Sequence, residues 1–71
     1  MELKKRLGAL VRDRRQLLNL SQEELGLRIG SDQAYVSRIE GGHMNLTIDT
    51  IEALAAALDI EASELLVEKQ S

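Results

Sequence analysis

The apolar residues of this chain recur three and four positions apart, which is the spacing of one face of an α-helix. A first helix over 2–18 is predicted by the apolar face Leu3, Leu7, Leu10, Val11, Leu17 and Leu18. A fourth helix, capped by Thr47, is predicted by the face Ile48, Ile51, Leu54, Ala55 and Leu58. With two short helices between them and a last one from about 62 to 67, the pattern predicts an all-α fold of five helices.

The two short helices, over 21–29 and 32–40, are joined by a sharp turn. Ser21 and Glu24 have the spacing of a capping box, which starts a helix at Ser21. Gly30 ends that helix, because a left-handed C-terminal residue costs glycine almost nothing. Asp32 is a good N-cap for the next helix. Gly26, inside the first of the pair, is expected to let another helix approach closely.

The second of these helices turns Val36 and Ile39 inward and a polar face outward. Arginine can pair with guanine through two hydrogen bonds, glutamine with adenine, and an alanine methyl can touch the thymine methyl. The face therefore predicts contacts to base edges, and an ordinary solvated helix face is the alternative. The candidate residues are Gln33, Ala34, Tyr35, Ser37 and Arg38.

The composition narrows the possible functions further. Seventy-one residues without cysteine allow one domain and exclude a disulfide scaffold or a thiolate metal site. The single His43 cannot build a metal site alone, so no metal or cofactor is expected. No cleft-forming set of Asp, Glu, His, Ser or Cys indicates an enzyme. Because no segment suits a membrane span or a signal peptide, we expect a soluble cytoplasmic protein with no membrane partner.

The net charge of −3 is unevenly distributed. Residues 1–43 carry eight Lys and Arg against six Asp and Glu, a balance of +2, whereas residues 44–71 carry one against six, a balance of −5. A positive side facing DNA and an acidic far side would orient the approach to a polyanion. By net charge alone, the alternative is simply an acidic soluble protein.

Three strings, LSQEELGLRIG, SDQAYVSRIEGG and LTIDTIEALAAALDI, resemble the phage-repressor and Cro type of helix-turn-helix protein, often called the XRE family. The resemblance covers nearly the whole chain. It implies a compact, five-helix, lambda-repressor-like domain over residues 1–71, with the helix-turn-helix at 21–40. Double-stranded DNA is the partner that this family binds.

The resemblance also implies roles for individual residues. Family members make backbone contacts to DNA at the positions of Gln22, His43 and Asn45, although a polar residue after an N-cap and a solvent loop are plain alternatives. They carry an ion pair at the positions of Arg15 and Glu40, which we expect to be structural. The remaining cations of the first helix are expected to be a solvated face: Lys4, Lys5, Arg6, Arg12 and Arg14.

Tyr35 is a further position at which the resemblance implies contact with DNA. The string AYVSRIE is similar to recognition helices of restriction-modification controllers, where the matching tyrosine lies against DNA at a deformable step. The alternative is that Tyr35 only packs against the protein.

The chain departs from the family pattern at three positions. Gly26 replaces the usual alanine, and Leu46 stands where many members have proline. Ala34 offers no hydrogen bond, which argues against direct readout there.

We expect a homodimer, because one short helix reads few bases whereas a two-fold pair reads a palindrome with half-sites roughly 34 Å apart. The short last helix has more apolar residues than it needs for itself, and packing within one chain is the alternative. The expected dimer region, about 60–67, includes Ile60, Leu65, Leu66 and Val67.

The function implied is transcriptional regulation from operator DNA, by blocking RNA polymerase or by touching it from an upstream site. A restriction-modification controller is the leading interpretation, because the chain length, the AYVSRIE string and the acidic second half suit that role. A Cro-like phage repressor is the next. An antitoxin that also binds a protein, or a protein-interaction module of the same fold, are the alternatives from other classes.

Overall fold

The computed structural model describes residues 3–66, and these residues form an all-α fold of five helices with no strand among them. The expected fold class is confirmed. Val67, which the sequence placed at the end of the last helix, lies outside the described residues. The helices are α1 (Leu3–Leu17), α2 (Gln22–Arg28), α3 (Gln33–Glu40), α4 (Ile48–Leu58) and α5 (Ala62–Leu66).

Polar caps start the three middle helices at the positions that the sequence predicts. The Ser21 hydroxyl accepts from the Glu24 amide at 2.9 Å, and the Glu24 carboxylate accepts from the Ser21 amide at 2.8 Å. This reciprocal capping box satisfies two backbone donors that α2 cannot pair internally. Asp32 caps α3 and Thr47 caps α4, each with its side-chain oxygen on an amide of the first turn.

Left-handed residues follow the first four helices and turn the chain back on itself. Gly30 has φ of 73° after α2, and Gly42 has φ of 78° after α3. Asn19 and Asp59 take the same conformation, each with φ of 59°. Short polar side chains tolerate this region better than other L residues, which explains why the chain turns at these positions without glycine.

Arg14 closes the C-terminal end of α4 across the molecule. Its Nε donates to the carbonyl of Leu58 at 2.9 Å, and its Nη2 donates to the carbonyl of Asp59 at 3.1 Å. These carbonyls have no partner within α4, and a cation is favourable at a helix C-terminus. The expectation that Arg14 lies on a solvated face was therefore wrong.

One apolar core joins all five helices. α2 packs against α3, α1 packs against α3, α4 and α5, and α4 packs against α5. The core lies under α3, so the fold presents the opposite side of that helix to solvent. The core residues are Leu7, Val11, Leu25, Val36, Ile39, Ile51, Leu54, Ala55, Leu58 and Leu65.

Two apolar residues predicted on inner faces are instead exposed. Leu17 is 68% exposed and Ile48 is 64% exposed. Each is the terminal residue of its helix, where neighbouring helices cover less of the surface. None of the helices within residues 3–66 combines the length and apolar character needed to cross a bilayer.

Candidate nucleic-acid interface

The turn between α2 and α3 is held by close backbone contacts. The Ser31 amide donates to the carbonyl of Gly26 at 2.7 Å. A Cβ on Gly26 would lie 2.6 Å from the carbonyl carbon of Asp32 and 2.7 Å from its oxygen. The close approach predicted at Gly26 is present, but it is made by the cap of α3 rather than by the body of another helix.

The opposite sides of α3 have opposite chemistry. Val36 and Ile39 are buried beneath the helix. The candidate base-reading side chains, Tyr35 excepted, are exposed on its outer surface: Gln33, Ala34, Ser37 and Arg38. This surface offers an amide, a methyl, a hydroxyl and a guanidinium within less than two helical turns. Such a set can donate to, accept from and touch groups on base edges.

Tyr35 lies at the margin of this face. Its side chain is half-buried and packs against the core. It lines a surface depression with Ile29 of the turn and with Thr50 and Ala53 of α4. The packing role considered for Tyr35 is therefore present in the structure, and the ring keeps part of its surface exposed.

An ion pair fixes α3 on α1. Arg15 Nε donates to Glu40 Oε2 at 2.6 Å, and Arg15 Nη2 donates to Glu40 Oε1 at 3.1 Å. The side chains are only 11% and 4% exposed. Hydrogen bonding to Glu40 raises the pKa of Arg15, despite the opposing effect of desolvation. Arg15 Nη1 also donates to the carbonyl of Leu20 at 2.8 Å, so one guanidinium ties together α1, α3 and the segment before α2.

Two glutamines extend this ion pair to the tip of α3. Gln22 Nε2 donates to Glu40 Oε1 at 3.1 Å, and Gln33 Nε2 donates to Gln22 Oε1 at 3.3 Å. The side chain of Gln22, a position expected to contact the DNA backbone, is half-buried and bonded through both its nitrogen and its oxygen. No local signal reveals this, because Gln22 and Glu40 are 18 positions apart.

The loop after α3 is exposed at His43 and Asn45. The His43 amide donates to the carbonyl of Arg38 at 3.0 Å, which keeps the loop beside the end of α3. The His43 ring lies over Gly41, where an added Cβ would be 2.7 Å from Cδ2. On its other side the loop packs on α1, where a Cβ on Gly42 would be 2.8 Å from Lys5 Cγ.

Fewer cations of residues 3–43 are exposed than the sequence count indicates. Arg14 and Arg15 are partly buried and bind partners within the chain, Arg14 at the end of α4 and Arg15 at Glu40. Arg6 is half-buried, so the solvated face expected for the first helix is reduced. The exposed cations among residues 3–43 are Lys4, Lys5, Arg12, Arg28 and Arg38. Five exposed cations in this part of the chain favour moderate rather than strong electrostatic binding to a polyanion.

The residues expected at a dimer interface have different surroundings. Leu65 is 1% exposed and belongs to the core of the single chain, as the intramolecular alternative held. Because α5 inserts this side chain into the core, Leu65 keeps almost no surface for a partner. Ile60 is half-buried. Leu66 lies in the last turn of α5, and Val67 is outside the described residues.

Ile60 lies in a groove that the sequence did not indicate. The groove runs between the second half of α1 and the segment from Ile60 to the last turn of α5, and it includes the exposed Leu17. Its lining residues are Leu10, Asp13, Arg14, Leu17, Ile60, Glu64 and Leu65. The sequence pattern had assigned Leu17 to the core, and only its exposure in the fold reveals it as a surface residue.

The chain matches the family model described as helix-turn-helix over residues 11–65. It is 44% identical over 50 residues to a hypothetical transcription factor of Neisseria meningitidis. That match covers 70% of this chain and 47% of the Neisseria protein, so the chain spans about half the length of that relative.

Two solved structures are similar in both sequence and fold. The restriction-modification controller protein C.AhdI from Aeromonas hydrophila is 41% identical, with a TM-score of 0.82 over 86% of this chain and 92% of the controller. SinR, the master regulator for biofilm formation, was solved in complex with DNA. It is 29% identical, with a TM-score of 0.80 over 86% of this chain and 98% of SinR.

Proposed function

The chain belongs to the XRE-type helix-turn-helix family of transcription regulators, and on this premise we propose that it binds double-stranded DNA sequence-specifically through α3. The observation that carries the proposal is the two-sided character of that helix. Val36 and Ile39 anchor it in the core while its opposite face presents polar side chains to solvent. A helix held in this way fits the width of the major groove. SinR, which has a similar fold, was solved in complex with DNA, and this supports DNA as the partner.

Gln33 and Arg38 are the main base-reading residues in this proposal. Both are exposed, and each offers two polar groups in one plane, which suits bidentate pairing with adenine or guanine. Ser37 lies between them along the helix and adds a hydroxyl that can donate or accept. Ala34 contributes only a methyl group, so its role is apolar contact with thymine.

Residues around α3 hold the DNA backbone. Gln22 is the first residue of α2, and its side chain reaches the tip of α3 through Gln33. One N–H of its side chain is left over after the bond to Glu40, and this donor can reach a phosphate. His43 and Asn45 contact the backbone from the loop after α3. Tyr35 adds shape readout with the exposed part of its ring.

The protein acts as a homodimer on a palindromic operator. A single α3 spans too few base pairs for a specific site, whereas a two-fold pair doubles the sequence that is read. The groove that contains Leu17 and Ile60 is the dimer surface in this proposal, because Leu17 exposes an apolar side chain beside the half-buried Ile60. It keeps Ile60 of the expected region 60–67 and adds Leu17 of α1.

Control of a restriction-modification system is the specific role that the comparisons favour, through the likeness to C.AhdI. The protein would regulate transcription in the cytoplasm through its own concentration, since dimerisation and operator occupancy both rise with it. It represses where it blocks RNA polymerase and activates where it contacts the polymerase from an upstream site. A Cro-like phage repressor would use the same interface on a different operator.

Selection of bound sequences from a random DNA pool tests this function. The wild-type protein should recover a palindromic site. Arg38→Ala and Gln33→Ala should each relax the preference at a different position of each half-site, by about 1–3 kcal/mol for a lost bidentate pair. Arg12→Ala removes an exposed cation from α1 and serves as the matched control, since it should leave the base preference unchanged. Unaltered preference in both α3 variants would show that this face does not read bases.

A further inference from the structure

A row of side chains along α1 alternates between leucine and charge. Its members lie three and four positions apart, which places them on one side of the helix with the spacing of a coiled-coil seam. Leu10, Asp13 and Leu17 of this row line the groove that is proposed above as the dimer surface. The row, called here the α1 seam, consists of Leu3, Arg6, Leu10, Asp13 and Leu17.

Arg6 is the member of the seam whose surroundings are incomplete. Its side chain is half-buried, and its Nη1 is shielded from solvent without a hydrogen-bond partner. In the described part of the chain it is the only buried side-chain nitrogen or oxygen that lacks one. Removing water from a cation costs free energy unless an acceptor replaces the water. The exposed edge of the Arg6 guanidinium therefore favours a carboxylate from outside.

Asp13 is the matching anion on the same seam. It is exposed and makes no hydrogen bond or ion pair within residues 3–66. Arg6 lies seven positions before it. Two helical turns, roughly 10.5 Å along the axis, separate the two residues. Ion pairs within one helix join positions three or four apart, so neither charge is compensated within the seam.

We propose that two copies of the chain pair their α1 seams antiparallel, with each Arg6 against the partner's Asp13. A two-fold axis beside Leu10 reverses the order of the seam, so that leucine meets leucine and cation meets anion. One surface then complements its own copy, as an isologous interface requires. This inference rests on the proposed function, in which the groove is the dimer surface, and it adds a direction and a register to that surface.

The same residues disfavour a parallel pair. In a parallel arrangement each residue lies opposite its own copy, so two arginines would meet at position 6 and two aspartates at position 13. Like charges brought together at an interface suppress the wrong arrangement. The two charges of the seam therefore select the antiparallel direction, while its leucines supply the apolar contact.

The position of α3 fits this pairing. Arg15 binds Glu40 of α3, and an added Cβ on Gly8 would lie 2.7 Å from the carbonyl oxygen of Glu40. Leu10 follows Gly8 by two residues, about 200° around the helix, so the seam lies on the side of α1 away from α3. Each α3 is then on an outer side of the dimer. Three successive helix packings of about 8–10 Å separate the two α3 helices by about 24–30 Å, close to the roughly 34 Å between half-sites.

Mixing two charge-reversed variants tests the pairing. Arg6→Glu and Asp13→Arg each place like charges at both contacts of a homodimer. Sedimentation equilibrium without DNA should therefore show a dissociation constant about tenfold higher for each variant alone. In a heterodimer of the two variants both contacts again join opposite charges, so the mixture should associate about as tightly as the wild type. Mixing would not restore a pair formed within one chain.

Arg12→Glu is the matched control, because it reverses an exposed charge of α1 away from the seam. It should leave the dissociation constant of the dimer unchanged. The losses in the two seam variants should shrink at about 0.5 M salt, which screens exposed charges. If circular dichroism shows that Arg6→Glu does not fold, Arg6→Gln takes its place. Its mixture with Asp13→Arg still removes both like-charge contacts and should associate more tightly than Asp13→Arg alone.

The possible failures separate the register from dimerisation itself. If the mixture associates no more tightly than the single variants, the antiparallel register is overturned while the dimer stands. The register is equally overturned if Arg12→Glu weakens association as much as the seam variants do. If the wild-type protein stays monomeric at every concentration, the homodimer of the proposed function fails and the seam fails with it. Base reading by α3 is tested independently, by the selection of bound DNA.

Discussion

Gly26 of α2 lies against the backbone of Asp32, so close that an added Cβ would be 2.6 Å from the Asp32 carbonyl carbon. Asp32 is the N-cap of α3, so this contact determines where α3 starts relative to α2. The atoms that face Gly26 belong to the backbone and cannot rotate away as a side chain could. The turn of this chain therefore accommodates glycine at position 26, where the family usually has alanine.

Gly26→Ala should destabilise the protein even though alanine is the better helix former. Alanine would gain about 1 kcal/mol of helix propensity. Overpacking against fixed backbone costs about 1–3 kcal/mol, and a contact of 2.6 Å places the cost toward the upper end, so we expect a net loss of up to about 2 kcal/mol. Urea unfolding of both proteins measures the difference. A more stable variant would contradict the close contact.

Glu40→Ala should lower the free energy of unfolding by about 3–5 kcal/mol, because it leaves the guanidinium of Arg15 buried without its counter-charge. The free energy of unfolding of a domain of this size is only about 5 kcal/mol or a little more, so the variant should be close to unfolding at room temperature. Thermal melts followed by circular dichroism measure the effect.

The double variant Arg15→Met and Glu40→Leu provides the control for this effect. It removes both charges and replaces them with apolar groups of similar volume, so it should recover most of the lost stability. If instead the double variant lost as much as the two single variants added together, burial of an unpaired charge would not be the cause.

The capping box predicts a pH dependence of stability. Hydrogen bonds from the backbone and side chain of Ser21 lower the pKa of Glu24 in the folded protein. The stability that the Glu24 carboxylate contributes is thus fully present above its unfolded pKa of about 4.3. It is lost as the pH falls through the lower pKa of the folded state. Glu24→Gln keeps an acceptor without the charge. The melting temperature of the wild type should exceed that of the variant at pH 7, and the difference should shrink steadily as the pH falls below about 4.3. A difference that persisted in acid would exclude the carboxylate as its source.

Leu17→Glu should weaken the proposed dimer without unfolding the chain. Leu17 is 68% exposed, so the single chain loses little by the change. Removing the burial of one leucine at an interface costs about 1.5–3 kcal/mol, a tenfold to hundredfold rise in the dissociation constant. Leu27→Glu makes the same change at a leucine that is 72% exposed on α2 and should leave association unchanged. Sedimentation equilibrium distinguishes the two, and equal behaviour of both variants would place the interface elsewhere.

The helix boundaries were determined by the sequence itself. The signals at Ser21, Gly30, Asp32 and Thr47 act within three or four residues, so a local pattern contains all the information that each cap or turn uses. The inward spacing of Val36 and Ile39 likewise determined which face of α3 is presented to solvent. The partnership of Arg15 with Glu40 was indicated by the family resemblance rather than by spacing.

Contacts between distant positions were decided by the tertiary structure alone. Arg14 meets the carbonyl of Leu58 across 44 positions, and Gln22 meets Glu40 across 18. The sequence placed Leu17 on an inner face and Leu65 at a dimer surface, yet the fold exposes Leu17 and buries Leu65. The physical reason is that a pattern reports the environment averaged along a helix, whereas burial and hydrogen bonding depend on which other element covers each residue.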